Sequence, residues 1–182
     1  MRKVIIILVA VALMSCCFGQ GAKKQNIQNI LYGKVYTNTE DIPELKHYQR
    51  YCGGWGIGEE NLSVEYYKNN EENVICIITE LLQHNENGQP VRKILDTINI
   101  GKLEVGEILT YGDCKQDTLW GQEIIAVVIK EDKELFDKTV KAWRVDKKTG
   151  SAKPIENVKD IACRNDGYDE REEQTEENIK SQ

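Results

Sequence analysis

The side chains able to do chemistry in this chain are few. It has 182 residues with six cysteines and two histidines. Cys16 and Cys17 stand side by side near the N-terminus; Cys52, Cys76, Cys114 and Cys163 follow. None forms a C-x-x-C pair, so the last four read as two disulfides rather than zinc ligands or a nucleophile. His47 and His84 have no cysteine or carboxylate at metal-ligand spacing, and no H-E-x-x-H occurs. Both are expected to face solvent. A Ser-His-Asp or Cys-His arrangement then has nothing to build on, and there is no G-x-S-x-G. The stretch GGWGIGEEN (53–61) has Glu59 where a dinucleotide loop needs glycine, and no Walker lysine follows. Setting Gly167 as the central glycine of a calcium loop puts Ala162 and Arg164 at ligand positions. Adjacent acids such as Glu59-Glu60 and Glu71-Glu72 read as solvated loops. No catalytic residue, no metal ligand and no cofactor is therefore expected, and the chain is not read as an enzyme.

Trp55 is the one candidate binding residue. It lies among Gly53, Gly54, Gly56 and Gly58. A large aromatic on close-approach backbone is either a recognition residue or a plug at one end of a β core.

The ends of the chain set where these residues work. A basic head, Met1-Arg2-Lys3, precedes the apolar run of residues 4–14. That run is too short to span a bilayer, which needs about 20 residues, and matches a signal-peptide core. Cleavage after Gly19 satisfies the small-x-small rule through Cys17 and Gly19, makes Gln20 the N-terminus and leaves an even number of cysteines. The alternative is a lipobox, Leu13-Met14-Ser15-Cys16, with Cys16 lipidated. Residues 1–19 are thus read as signal peptide, 20–165 as one β-rich domain and 166–182 as a disordered acidic tail. The expected location is periplasmic or secreted, or lipid-anchored in the envelope through Cys16. The net charge of −6 becomes more negative once Arg2 and Lys3 are removed. That argues against nucleic acid and anionic membrane surfaces as partners, and no transmembrane span is expected.

Within the domain, residues 41–52 read as one short helix. Asp41 caps it, Pro43 sits in the first turn, Glu44 closes a capping box, and Leu45, Tyr48 and Cys52 form a stripe. After Gly53-Gly54 the period changes to two. Strands are expected at 62–68, 73–83, 91–100, 107–112, 122–130 and 138–146, then in SAKPIENV and DIAC. In 138–146, Val140, Ala142 and Arg144 share one face; Thr139, Lys141, Trp143 and Val145 share the other. Tight connections without alternating long helices predict a mainly β fold. It is an antiparallel meander forming a curved sheet, sandwich or small barrel, with one short N-terminal helix. Following the meander up and down puts Cys114 and Cys163 at the same end of the sheet, which leaves Cys52 to pair with Cys76.

Two resemblances add to this. The FGQ signal-peptide end, Lys141-Ala142-Trp143-Arg144, the Lys148-Thr149-Gly150 turn and Cys163 resemble small secreted Bacteroidetes proteins of unknown function. That likeness implies location and fold but no activity. The GGW tripeptide before about eight strands is similar to the G-x-W opening of lipocalins and implies a calycin-like pocket. The function expected is a non-catalytic binding or accessory protein of the cell envelope with a protein partner. The alternative is a small-ligand carrier with a barrel pocket.

Overall fold

Strands dominate, as the period-two pattern predicts. The computed structural model describes residues 27–57, 61–121 and 123–168, excepting the side chains of residues 52–55 and 111. The expected signal peptide with Cys16, and tail residues 169–182, lie outside the described residues. Among the described residues, helix is confined to α1 (Ile27–Leu31) and two 3-10 turns, Thr39–Asp41 and Pro43–Leu45.

The first sheet contains β1 (Val35–Tyr36), β2 (Tyr48–Ile57), β3 (Leu62–Asn69), β4 (Asn73–His84) and β5 (Pro90–Lys102), in the order β1-β5-β4-β3-β2. The second contains β6 (Glu107–Tyr111), β9 (Ile124–Ile129), β11 (Thr139–Val145) and β12 (Ala152–Pro154), in the order β12-β11-β9-β6. The third contains β7 (Cys114–Gln116), β8 (Leu119–Gly121), β10 (Leu135–Phe136) and β13 (Ile161–Arg164), in the order β10-β13-β7-β8. Every pairing in the three sheets is antiparallel.

Three apolar clusters hold these layers together. Tyr66, Val74, Cys76 and Ile98 of the first sheet pack on Leu109, Ile125, Val127 and Val145 of the second. The other face of the first sheet, with Tyr67, Ile75, Ile77 and Ile94, is covered by Leu31, Ile42 and Leu45. The other face of the second sheet, with Ile124, Ala126, Val128 and Ala142, packs on Cys114, Phe136, Ile161 and Cys163 of the third. β4 and β9 are apolar on both faces because each lies between two layers, as their unbroken Ile/Val runs require. Asp96 fastens two layers and the helix. It accepts from Gln28 Nε2 at 2.6 Å and from the Ala152 N–H at 2.8 Å.

Turn chemistry follows the sequence. Between β4 and β5, Asn85 Oδ1 accepts the N–H groups of Asn87 and Gln89 at 3.0 and 2.9 Å, and Gly88 takes φ +74°. After β11, Asp146 Oδ1 accepts from the N–H groups of Lys148 and Thr149, both at 2.9 Å. Gly150 follows at φ +68°, with Leu95 Cδ1 where a Cβ would be placed.

Four expectations are corrected. The short helix lies at α1, not at 41–52. Asp41 acts as the third residue of a 3-10 turn, accepting the Asn38 N–H at 3.1 Å, and Glu44 bonds Lys34 Nζ at 2.7 Å instead of closing a box. Residues from Tyr48 onward pair with β3, so sheet hydrogen bonding overrides the local helical pattern. Buried Leu45 and partly buried Tyr48 still belong to one cluster, carried by a turn and a strand.

The meander holds only for β2 to β5. β6 pairs with β9 across the inserted β7–β8 hairpin, and β13 lies between β7 and β10. In β11 a register shift between Thr139 and Lys141 leaves Val140 exposed, while Ala142 and Trp143 face different cores.

The Cys52–Cys76 bridge does not fit the backbone register. Cys52 pairs with Tyr66, and Tyr66 with Cys76. Two strand spacings, about 9.5 Å, then separate the backbones, beyond the roughly 7 Å a disulfide spans. The Cys52 side chain itself lies outside the described residues.

The Cys114–Cys163 disulfide is present, closing a sequence separation of 49. It forms by a shorter route than the meander implied. β13 pairs directly with β7, and the two cysteines are opposite each other. The neighbouring Arg164 N–H donates to Asp113 O at 2.9 Å, so the cysteines occupy a non-hydrogen-bonded pair, where opposed side chains come closest.

Candidate functional site

Of the residues expected to carry function, Trp55 lies in β2 with its backbone opposite Val64; its side chain is outside the described residues. His47 and His84 are exposed, as expected. Cys76, Cys114 and Cys163 are buried, the last two as the disulfide between the second and third sheets.

Two other places combine chemistry with access. The first is a polar cluster on the outer face of the first sheet, to which all five strands contribute. Glu65 on β3 is only 7% exposed. Its Oε2 accepts from Tyr36 Oη of β1 at 3.0 Å and Tyr67 Oη of β3 at 2.6 Å. Its Oε1 lies 3.9 Å from Arg92 Nε of β5 and 4.0 Å from Arg50 Nη2 of β2. Arg92 Nη1 donates to Ser63 Oγ at 2.6 Å, and Ser63 shares a 2.9 Å hydrogen bond with Thr79 Oγ1 of β4. β1 and β3 are separated by β5 and β4. About 14 Å of flat sheet exceeds the reach of a tyrosine, so the Tyr36–Glu65 bond requires the curl this fold shows.

Burial first, and the Glu65 charge second, push both phenols well above the ordinary tyrosine value. They remain hydrogen-bond donors throughout the physiological range. The sign follows from linkage. A folded pKa raised above the unfolded value gives stability that is complete below pH 10 and is lost as pH rises further. We predict alkaline destabilisation of about 1.4 kcal/mol per pH unit per tyrosine. Denaturant midpoints measured from neutral to strongly alkaline pH should fall less steeply in Tyr36→Phe than in wild type. Equal slopes would mean that Tyr36 is not held neutral.

The second place is the outer face of the third sheet. Trp120 on the edge strand β8 is 47% exposed, and its neighbour Leu119 is 78% exposed. Lys115 Nζ lies 5.5 Å and the Arg164 guanidinium 5.2 Å from the centre of the indole, within cation–π range. Arg164 also forms a long ion pair with Asp113 at 3.9 Å. It lines a cleft of about 190 Å³ with Ile108, Thr110, Lys130, Phe136 and Asn165. That volume is below the roughly 300 Å³ typical of a small-molecule pocket. Arg164, which follows the disulfide's Cys163, touches both the indole and the cleft.

Comparison with protein families, curated proteins and solved structures gave no match. Any functional reading therefore rests on the geometry of this chain.

Neither place was named in the sequence reading. A usable signal existed for the first. Glu65 stands between Val64 and Tyr66-Tyr67 in an expected strand, and a charge buried among such neighbours needs a partner. Trp120 lies in a segment too short and polar to be read as a strand.

Proposed function

We propose that this is an exported, non-catalytic binding or accessory protein of the cell envelope, engaging a protein partner through the Trp120 face. The observation that carries this reading is Trp120 itself. It is a half-exposed tryptophan beside an exposed leucine and between two cations, on a sheet pinned by the Cys114–Cys163 bridge. Tryptophan and arginine are the residue types that dominate binding hot spots, and a disulfide-braced strand holds them at low entropic cost.

Export is supported by the disulfide, which persists in oxidising compartments. Among the described residues no helix is long and apolar enough to cross a membrane. Processing to Gln20 is the favoured form, and acylation at Cys16 the alternative. The resemblance to small secreted Bacteroidetes proteins is compatible with either. A calycin-like carrier finds less support. Its pocket needs one closed sheet, whereas these strands lie in three open sheets with apolar side chains packed between the first two.

A photo-crosslinker at Leu119, in cells that make the protein, tests the binding reading. We expect a discrete adduct that disappears when Trp120→Ala is added, and none from a probe at the exposed Val105. Equal labelling from both positions, or an adduct indifferent to Trp120, would count against it. The intact mass of the same material separates a chain starting at Gln20 from one acylated on Cys16.

A further inference from the structure

β6 ends the order β12-β11-β9-β6, so only one of its two edges is paired. The Lys130 N–H donates to Gly106 O at 2.8 Å, which makes these two residues a hydrogen-bonded pair. Successive pairs of an antiparallel ladder alternate. Ile108 and Thr110, opposite Val128 and Ala126, therefore turn their backbone groups toward β9. Glu107, Leu109 and Tyr111 turn theirs away, to the unpaired edge. The Glu107 N–H is used locally, donating to Glu104 O at 3.0 Å. Among the described residues no backbone group answers the N–H or the C=O of Leu109. Such an edge is a template for another strand.

There is room beside this edge. The cleft of about 190 Å³ takes Ile108, Leu109 and Thr110 of β6 into its lining, with Phe136 and Arg164 of the third sheet. Leu109 lines it although its side chain packs in the other core, against the first sheet. Lys130 also lines the cleft and forms no ion pair among the described residues. Opposite Gly106, it stands at the start of β6, and its side chain shares a face with those of Ile108 and Thr110.

We infer that the β6 edge takes an extended segment of the protein partner as an added antiparallel strand. Its residue opposite Leu109 exchanges two main-chain hydrogen bonds with it. Apolar residues opposite Thr110 and Ile108 enter the cleft. The next residue on that face, opposite Gly106 and toward the segment's C-terminal end, is acidic and meets Lys130. A cleft too small for a typical small molecule suffices here, because main-chain bonds supply affinity in strand addition and alternate side chains supply specificity. This inference rests on the Trp120 reading for the partner being a protein. Arg164, against the indole and in the cleft lining, joins the two places.

The peptide acetyl-Val-Thr-Val-Thr-Glu-amide follows that register and is the test, titrated into the whole protein labelled with nitrogen-15. Saturable binding is expected, with hydrogen exchange of the Leu109 amide slowed. Methylating the nitrogen of the first threonine, which faces Leu109 O, should weaken binding about tenfold or more. Methylating that of the second valine, which faces away, should change it little. Lys130→Glu should weaken binding too, at an unchanged melting temperature, and should favour the peptide ending in lysine. No saturable binding at millimolar concentration overturns the inference, as do equal effects of the two methylations or unchanged Leu109 exchange. A protein already dimeric, with Leu109 protected before peptide is added, overturns it in favour of a second copy on this edge. A Trp120-dependent adduct from Leu119 without peptide binding leaves the Trp120 reading standing and removes strand addition alone.

Discussion

Replacing Cys114 and Cys163 together by alanine lowers the unfolding free energy by about 4 kcal/mol. The bridge closes a sequence separation of 49. In the chain-entropy model, releasing a loop of that size restores about 4 kcal/mol of unfolded-state freedom. The location adds a packing loss, because both cysteines belong to the cluster joining the second and third sheets. Two of the four strands in the third sheet, β7 and β13, are tied by this bond, and they have only three and four residues. Urea denaturation of the double variant against wild type, both without reductant, measures the difference. A loss under about 1 kcal/mol would mean that β7 and β13 are held by pairing alone and that the entropic account fails here. The same measurement bears on the Trp120 face, since Lys115 and Arg164 flank the two cysteines in sequence. Loosening the pair should broaden the indole environment seen by fluorescence before global unfolding.

Tyr66→Ala is the second large effect, expected at about 4 kcal/mol, within the range for deleting a buried aromatic. Tyr66 is fully buried at the centre of the cluster between the first and second sheets. Its strand β3 lies between β2 and β4, and it packs with Cys76, its partner on β4, in the same cluster. Trp143→Ala, by contrast, removes a ring that packs on the edge of the same cluster and is partly exposed; its cost should be roughly half as large. Chemical denaturation of the two variants gives the comparison. An equal or larger cost for Trp143 would show that the cluster is centred on β11 rather than on β3.

The strands were legible because burial on one or two faces writes itself into neighbouring residues. Ile75 to Ile78 and Ile124 to Val128 form unbroken apolar runs, and both became interior strands. The Asn85–Gly88 and Asp146–Gly150 turns were legible for a related reason. Their side-chain-to-backbone bonds span only a few residues. Residues 41–52 misled because an i, i+3, i+7 stripe describes both a helix and a turn running into an edge strand. What decided it was β3, a partner from outside the window.

By itself, then, the sequence determined an antiparallel β protein, most of its strand positions and its tight turns. These are properties of local period and local chemistry. Only the tertiary structure decided that the strands divide among three sheets, that β13 inserts between β7 and β10, and that Cys52 and Cys76 are held apart by Tyr66. It alone assembled Tyr36, Arg50, Glu65 and Arg92 around one carboxylate. Those outcomes depend on which strand pairs with which and on how far the sheet curls. Such energies belong to contacts between residues distant in sequence, where no short pattern records them.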